Sequence, residues 1–239
     1  MLRKNNARPL IPYDPNFIWV ETKEGGYFRR KRGTVKVAKL NASLKKYQKA
    51  FSEISPIAQR LKLWLKPYTH NLDTGRLQGK LTAALVKSFL ETNTFNFTYL
   101  KDYEFQKAHP FSRIHIGYPV EVMADRVTIK LPVKHYLVER ISDIVTGFYY
   151  ELIVVAGDLK NETPVLRNSV RSQEYEFEKD YKDCVLEIAL PASGEPWMVM
   201  VKIGTIEGDV EAVHPRHFAM RVVAVGGGGN SDNNVVNKI

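Results

Sequence analysis

Cysteine is almost missing from this chain. Cys184 is the only one in 239 residues, which excludes an internal disulfide. Long apolar runs are missing too. The N-terminus is basic, with Arg3, Lys4 and Arg8, but only Leu10 and Ile11 follow before Pro12. A secretory signal needs an apolar core of about 7–15 residues, so none is read here. Nothing approaches the roughly 18 apolar residues of a membrane-crossing helix. The expected location is the bacterial cytoplasm, or a particle assembled there, with no membrane partner.

Acidic residues are scarce in the first half only. Residues 1–113 carry 22 Lys and Arg against 8 Asp and Glu, whereas residues 114–239 carry 13 against 18. A break of this size marks two regions with different partners: the basic one seeks a polyanion or an acidic protein face. The hydrophobic fraction of 44% and aromatic fraction of 11% are enough to build a core.

The period of the apolar residues changes along the chain. Residues 1–16 read as an extended basic arm. Phe17–Thr22 is rich in aromatic and β-branched residues, Glu24-Gly25-Gly26 supplies a turn, and Tyr27–Arg32 returns as the second strand of a hairpin, with the Val35/Val37 alternation as a short continuation. Leu44, Tyr47, Phe51, Ile54, Ala58, Leu61, Leu65 and Tyr68 then recur at spacings of three and four, a helical seam. Pro56 after Ser55 predicts a break into two short helices. Leu77, Leu81, Leu85 and Phe89 predict a further helix over about residues 75–91. Beyond residue 112 the pattern is β: 126–131, 148–155, 174–178, 184–190, 197–206 and 217–225 all read as strands, with a short helix possible within 132–145. A Gly/Asn-rich tail closes the chain over 226–239. The expected fold is α+β. A basic hairpin and amphipathic helical pair (17–112) precede an antiparallel β-sandwich of immunoglobulin-like architecture (113–225).

Each candidate for chemistry has a plainer explanation. Gly75-Arg76-Leu77-Gln78-Gly79-Lys80-Leu81 lacks the spacing of a phosphate-binding loop, and Leu81 stands where a Ser or Thr would bind magnesium. Its glycines read instead as places where two backbones approach closely. His70, His109, His115, His135, His214 and His217 bring only the last two together, so they read as turn and surface residues and no metal or other cofactor is expected. The loop Glu207–Glu211 lacks calcium-ligand spacing. Cys184 sits in an apolar strand and reads as packing, with no catalytic partner near it in sequence.

Two charged sets remain. Arg29, Arg30, Lys31 and Arg32 lie on a hairpin strand beside Trp19, Tyr27 and Phe28, and Arg60, Lys62, Lys66, Arg76 and Lys80 lie in or near the helices. Dense cations without a base-reading motif suit phosphate backbones or an acidic protein. Glu174, Glu176 and Glu178 alternate on one strand face with Tyr175 and Phe177 turned inward, an acidic docking strip that a neighbouring copy's basic region could meet.

Glu24-Gly25-Gly26-Tyr27 with Arg29 and Arg30, Gly75-Arg76-Leu77 through Lys80-Leu81-Thr82, and the closing Phe218-Ala219-Met220-Arg221-Val222-Val223 resemble the plan of a group of Bacteroidetes hypothetical proteins. These share a Gly-rich aromatic and basic hairpin, a helical region and a β-rich C-terminal half. The group has no known activity, so it carries no functional residue over. The resemblance implies a bacterial or phage-associated accessory protein. The expected function is non-enzymatic assembly through self-association, with sequence-nonspecific nucleic-acid binding by the basic half as the alternative.

Overall fold

The computed structural model describes residues 16–22, 25–31, 41–93, 96–115, 117–133, 145–161, 163–177, 179, 181–192 and 194–227. Arg32, the Val35/Val37 continuation, the helix expected within 132–145, His135, Glu178, the arm before Asn16 and the tail after Gly227 lie outside them. The elements run β1 (Phe17–Thr22), β2 (Gly25–Arg30), α1 (Ala42–Thr69), α2 (Leu77–Thr92), α3 (Phe111–Ile114), β3 (Val120–Val122), β4 (Arg126–Leu131), β5 (Val145–Ala156), β6 (Leu166–Arg171), β7 (Tyr175–Glu176), β8 (Cys184–Ala189), β9 (Trp197–Glu207), β10 (Val210–Glu211) and β11 (Phe218–Gly226). The fold is α+β, and among the described residues every strand pairing is antiparallel. The chain divides into two compact units, residues 1–45 and 46–239.

In the first unit β1 pairs with β2, Phe17 opposite Arg30 and Trp19 opposite Phe28. Gly25 and Gly26 belong to β2 and do not form the turn expected of them. Directly opposed residues share a face, so one face carries Phe17, Trp19, Phe28 and Arg30, and the other Ile18, Val20, Tyr27 and Arg29. Gly26, opposite Glu21, leaves room for the Trp19 ring, which a Cβ there would strike.

The second unit is built around a large sheet in which β9 pairs with β5 and β11, and β5 with β6. β3, β4 and β8 form a smaller sheet, and the whole curls into a half-barrel. Alternation along the central strands serves two cores. Phe148, Tyr150, Leu152 and Val154 of β5 and Val199, Val201 and Ile203 of β9 share one apolar cluster with Val127, Ile129, Leu186 and Ile188 of the smaller sheet. Ile153, Val155, Met198 and Met200 point the other way and pack with Ile54, Leu61, Leu65, Leu81 and Leu85 of the helices. Central strands covered on both faces read as continuous apolar runs, as β5 and β9 do. The open edge of β11 is covered by residues 102–105, whose backbone exchanges hydrogen bonds with Met220 and Val222.

α1 is one helix of 28 residues with Pro56 and Pro67 inside it, not two short ones. Proline removes one backbone donor. Ile54, Ile57, Ala58 and Leu61 are buried on both sides of Pro56, and their packing holds the helix through it. Gly75 and Gly79 are not close-approach positions, since a Cβ at either meets nothing. Gly75 instead adopts φ +52°, a left-handed turn just before α2. Among the described residues, no helix is long and apolar enough to cross a membrane.

Candidate functional sites

The hairpin is the first candidate, because it puts large apolar rings and cations together in the open. Trp19 and Phe28 meet edge to face with centroids 4.9 Å apart, and the Arg30 guanidinium lies 5.9 Å from the centre of the Phe17 ring. Tyr27, at 53%, is more than half exposed, and Phe17 and Phe28 are exposed as well. Arg29 is half-buried, and its Nε is covered without a hydrogen-bond partner. The Lys31 backbone N–H donates to the Asn16 carbonyl at 2.6 Å, closing the strand ends. An isolated two-stranded sheet is marginal in water, and two apolar faces leave both needing cover.

The remaining sequence-predicted cations do not gather into one surface. Arg60 donates to the carbonyls of Leu159 and Lys160, at 3.2 and 2.6 Å, and so pins α1 to the loop after β5. Lys80 reaches the Thr74 carbonyl at 3.4 Å. Arg76 is exposed at the start of α2. Lys62 and Lys66 are exposed on α1.

The acidic strip is only partly formed. β7 spans two residues, Tyr175 and Glu176, with Tyr175 and Phe177 inward as expected. Glu174 pairs with Arg171 at 3.1 Å and Glu176 with Lys179 at 2.6 Å, so both carboxylates face cations of their own unit. Both pairs are solvent-exposed and contribute little to stability.

The second candidate, which the sequence reading missed, is a buried polar cluster on the helix-facing side of the large sheet. Lys202 stands directly opposite Glu151. Its side chain is only 4% exposed, and its Nζ lies 3.8 Å from Glu151 and 3.5 Å from Glu211. Asn71, just after α1, donates to Glu211 at 3.1 Å. Tyr149 lies over Gly204, where a Cβ would strike the phenol oxygen, and the Arg171 guanidinium stacks 3.5 Å above the Tyr149 ring. Burial raises the Glu211 carboxyl, but the Tyr149 hydroxyl, Lys202, Arg171 and Asn71 outweigh it and hold it below the usual carboxylate range. Burial and the hydrogen bond to Glu211 push the Tyr149 phenol far up. Two lone charges inside apolar strands were the available signal: Glu151 in Phe148–Val155 and Lys202 in Trp197–Ile206. Each charge answers another within the cluster, which fits a structural lock between α1's end, β5, β6, β9 and β10.

Two histidines expected at the surface are buried, because each has a polar partner inside. His115 Nε2 lies 2.8 Å from the Tyr150 hydroxyl, and burial lowers its pKa to about 4. His217 Nδ1 lies 3.0 Å from the Thr205 hydroxyl, and burial holds its pKa below the ordinary value. His70 and His214 are exposed. Cys184 is buried, with its thiol pKa raised by burial, in keeping with a packing role. Gln106, also buried, accepts from the Asp73 N–H at 2.9 Å and donates to the carbonyls of Pro215 and Phe218, tying the loop before α2 to the start of β11.

No protein-family model, no curated protein and no solved structure matches this chain.

Proposed function

We propose that this is a non-enzymatic assembly protein whose hairpin is a docking arm and whose second unit is the rigid body. The observation that carries this reading is the hairpin itself. It has aromatic side chains on both faces, three of them exposed, and a covered arginine Nε without a partner. A surface of that kind gains by burial against another chain. The body is read as a β-sandwich of immunoglobulin-like outline, supported by the apolar cluster that β4 and β8 share with β5 and β9. Its polar cluster is neutralised internally, which suits a scaffold better than a reaction centre.

Self-association is the form of assembly proposed, into an oligomer or particle, in the cytoplasm. Sedimentation of the full chain across concentration and salt tests it. Species heavier than 27.4 kDa are expected, shifting to monomer in a Trp19→Ser/Phe28→Ser/Arg30→Ser variant. A salt-independent monomer at high concentration would rule the reading out.

A second reading rests on the same strand. Arg30 shares one hairpin face with Trp19 and Phe28, and Arg29 the other with Tyr27, the combination of cations and stacking rings that single-stranded nucleic acid uses. Changing Arg29, Arg30 and Lys31 together to Ala then weakens binding of a single-stranded oligonucleotide and flattens its salt dependence. Absence of any oligonucleotide binding at low salt disposes of this reading.

A further inference from the structure

The apolar seam of α1 outruns the core that it serves. Ala50, Ile54, Ile57, Ala58, Leu61 and Leu65 are buried, but Tyr47 and Phe51 are each 47% exposed. At about 100° per residue, the exposed rings sit roughly a fifth of a turn round the helix from the centre of the buried face. Tyr47 and Phe51 are therefore the uncovered N-terminal end of that same seam, at the i, i+4 spacing by which one helix anchors on another protein. Lys62 and Lys66 continue it: these four residues fall within about 100° of one another around the axis. Among the described residues neither lysine has a carboxylate partner.

Charge decides what can cover such a stripe. α1 holds six basic residues, Lys45, Lys46, Lys49, Arg60, Lys62 and Lys66, against one acidic residue, Glu53. A second copy of α1 laid along it would set cations on cations. α2 cannot serve either, since its charges are Lys80, Lys87 and Glu91. Among the described residues no long helix is acidic, so neither α1 nor α2 supplies the complement. Phosphate would satisfy the lysines and leave the rings in water.

The geometry points to α1 as a recognition helix for an acidic amphipathic helix of a different protein, with Tyr47 and Phe51 as anchors and Lys62 and Lys66 meeting its carboxylates. This goes beyond self-assembly through the hairpin, and the two can fail separately: one is read from the mass of the chain alone, the other from binding of an added helix.

The probe is a capped synthetic 18-residue peptide with Leu at i, i+3, i+4 and i+7 repeated along its length, Glu beside that stripe and Ala and Gln elsewhere, followed by fluorescence anisotropy with the full-length chain. Saturable binding is expected. It should weaken about tenfold in Tyr47→Ser/Phe51→Ser and by a similar factor in Lys62→Glu/Lys66→Glu, the latter recovering with a peptide that carries Lys for Glu. Circular dichroism and an unchanged unfolding midpoint establish that the variants fold, since all four side chains are exposed. Any of four results overturns the proposal. They are no saturation, equal binding of a scrambled peptide, indifference to both double variants, or self-association, oligonucleotide binding or anionic-vesicle binding that depends on Tyr47 and Phe51 while the peptide does not bind.

Discussion

The two units handle charge in opposite ways. The body takes Lys202 out of water and surrounds it with Glu151, Glu211 and, through Glu211, Tyr149, Arg171 and Asn71. The hairpin keeps Arg30 at the surface beside an exposed aromatic ring. A buried charge with internal partners contributes to the fold and is closed to outsiders. An exposed charge beside an exposed ring contributes almost nothing until another molecule arrives. The contrast separates what this chain uses to fold from what it has left for binding.

The sharpest way to break the contrast is to unbalance the body. Lys202→Ala leaves two carboxylates facing a cavity and should cost about 3–5 kcal/mol, read from urea unfolding. Replacing the pair together, Lys202→Met with Glu151→Leu, should recover part of that loss, because it removes the Glu151 charge while Glu211 keeps Arg171, Asn71 and Tyr149. If both variants lose equally, the cluster is more than a lock and its charge itself is needed.

A second internal test uses pH. His115 is held neutral by burial, its pKa moved from 6.5 down to about 4. Between these values the unfolded chain takes up a proton that the folded chain refuses. The unfolded state therefore binds more protons, and stability falls as pH drops through that window. The whole shift corresponds to about 3 kcal/mol. His115→Phe, which keeps the ring stack with Phe111, should flatten the decline between pH 6.5 and 4 relative to wild type. Glu211 works from the other side of its own titration: its lowered pKa contributes stability that is present above the ordinary carboxylate value and lost as pH falls through the folded one. That loss should persist in His115→Phe.

A smaller effect is expected where β9 makes room for β5. Gly204→Ala puts a methyl group against the Tyr149 ring and should cost about 1–3 kcal/mol by displacing it. The displacement should be visible as a change in tyrosine fluorescence.

Much of this was legible in the residues, for physical reasons. α2 follows from periodicity, since a face buried along its length leaves a regular trace; β5 and β9 follow from continuous apolar runs, and the hairpin from its aromatic and β-branched residues. Pro56 is locally a stop signal, but helix continuity is decided by packing on both sides of it, which no local rule contains. β6 was missed because Leu166–Arg171 is half-exposed and polar, an edge strand held by its ladder to β5 and not by burial. The Lys202 cluster was missed although both halves were visible. A lone Glu in one apolar strand and a lone Lys in another make a cross-strand pair only once the register is known. The basic residues were read as one set. The structure divides them into those tied to carbonyls, such as Arg60 and Lys80, and those left outward, such as Arg30, Lys62 and Lys66.

The smallest expected change in stability is also the one that matters most for function. Trp19→Ser with Phe28→Ser removes the apolar centre of one hairpin face. The chain divides into two compact units, and neither ring belongs to the two buried clusters of the body. The main unfolding transition should therefore move by less than about 0.5 kcal/mol, as for surface substitutions. Oligomer mass, by contrast, should fall to that of the monomer. A large loss of stability in this variant would make the hairpin part of the fold. An unchanged mass would leave its exposed rings without the role assigned to them. A stable body that no longer assembles is the outcome that sets the hairpin apart as the portion of the chain kept for a partner.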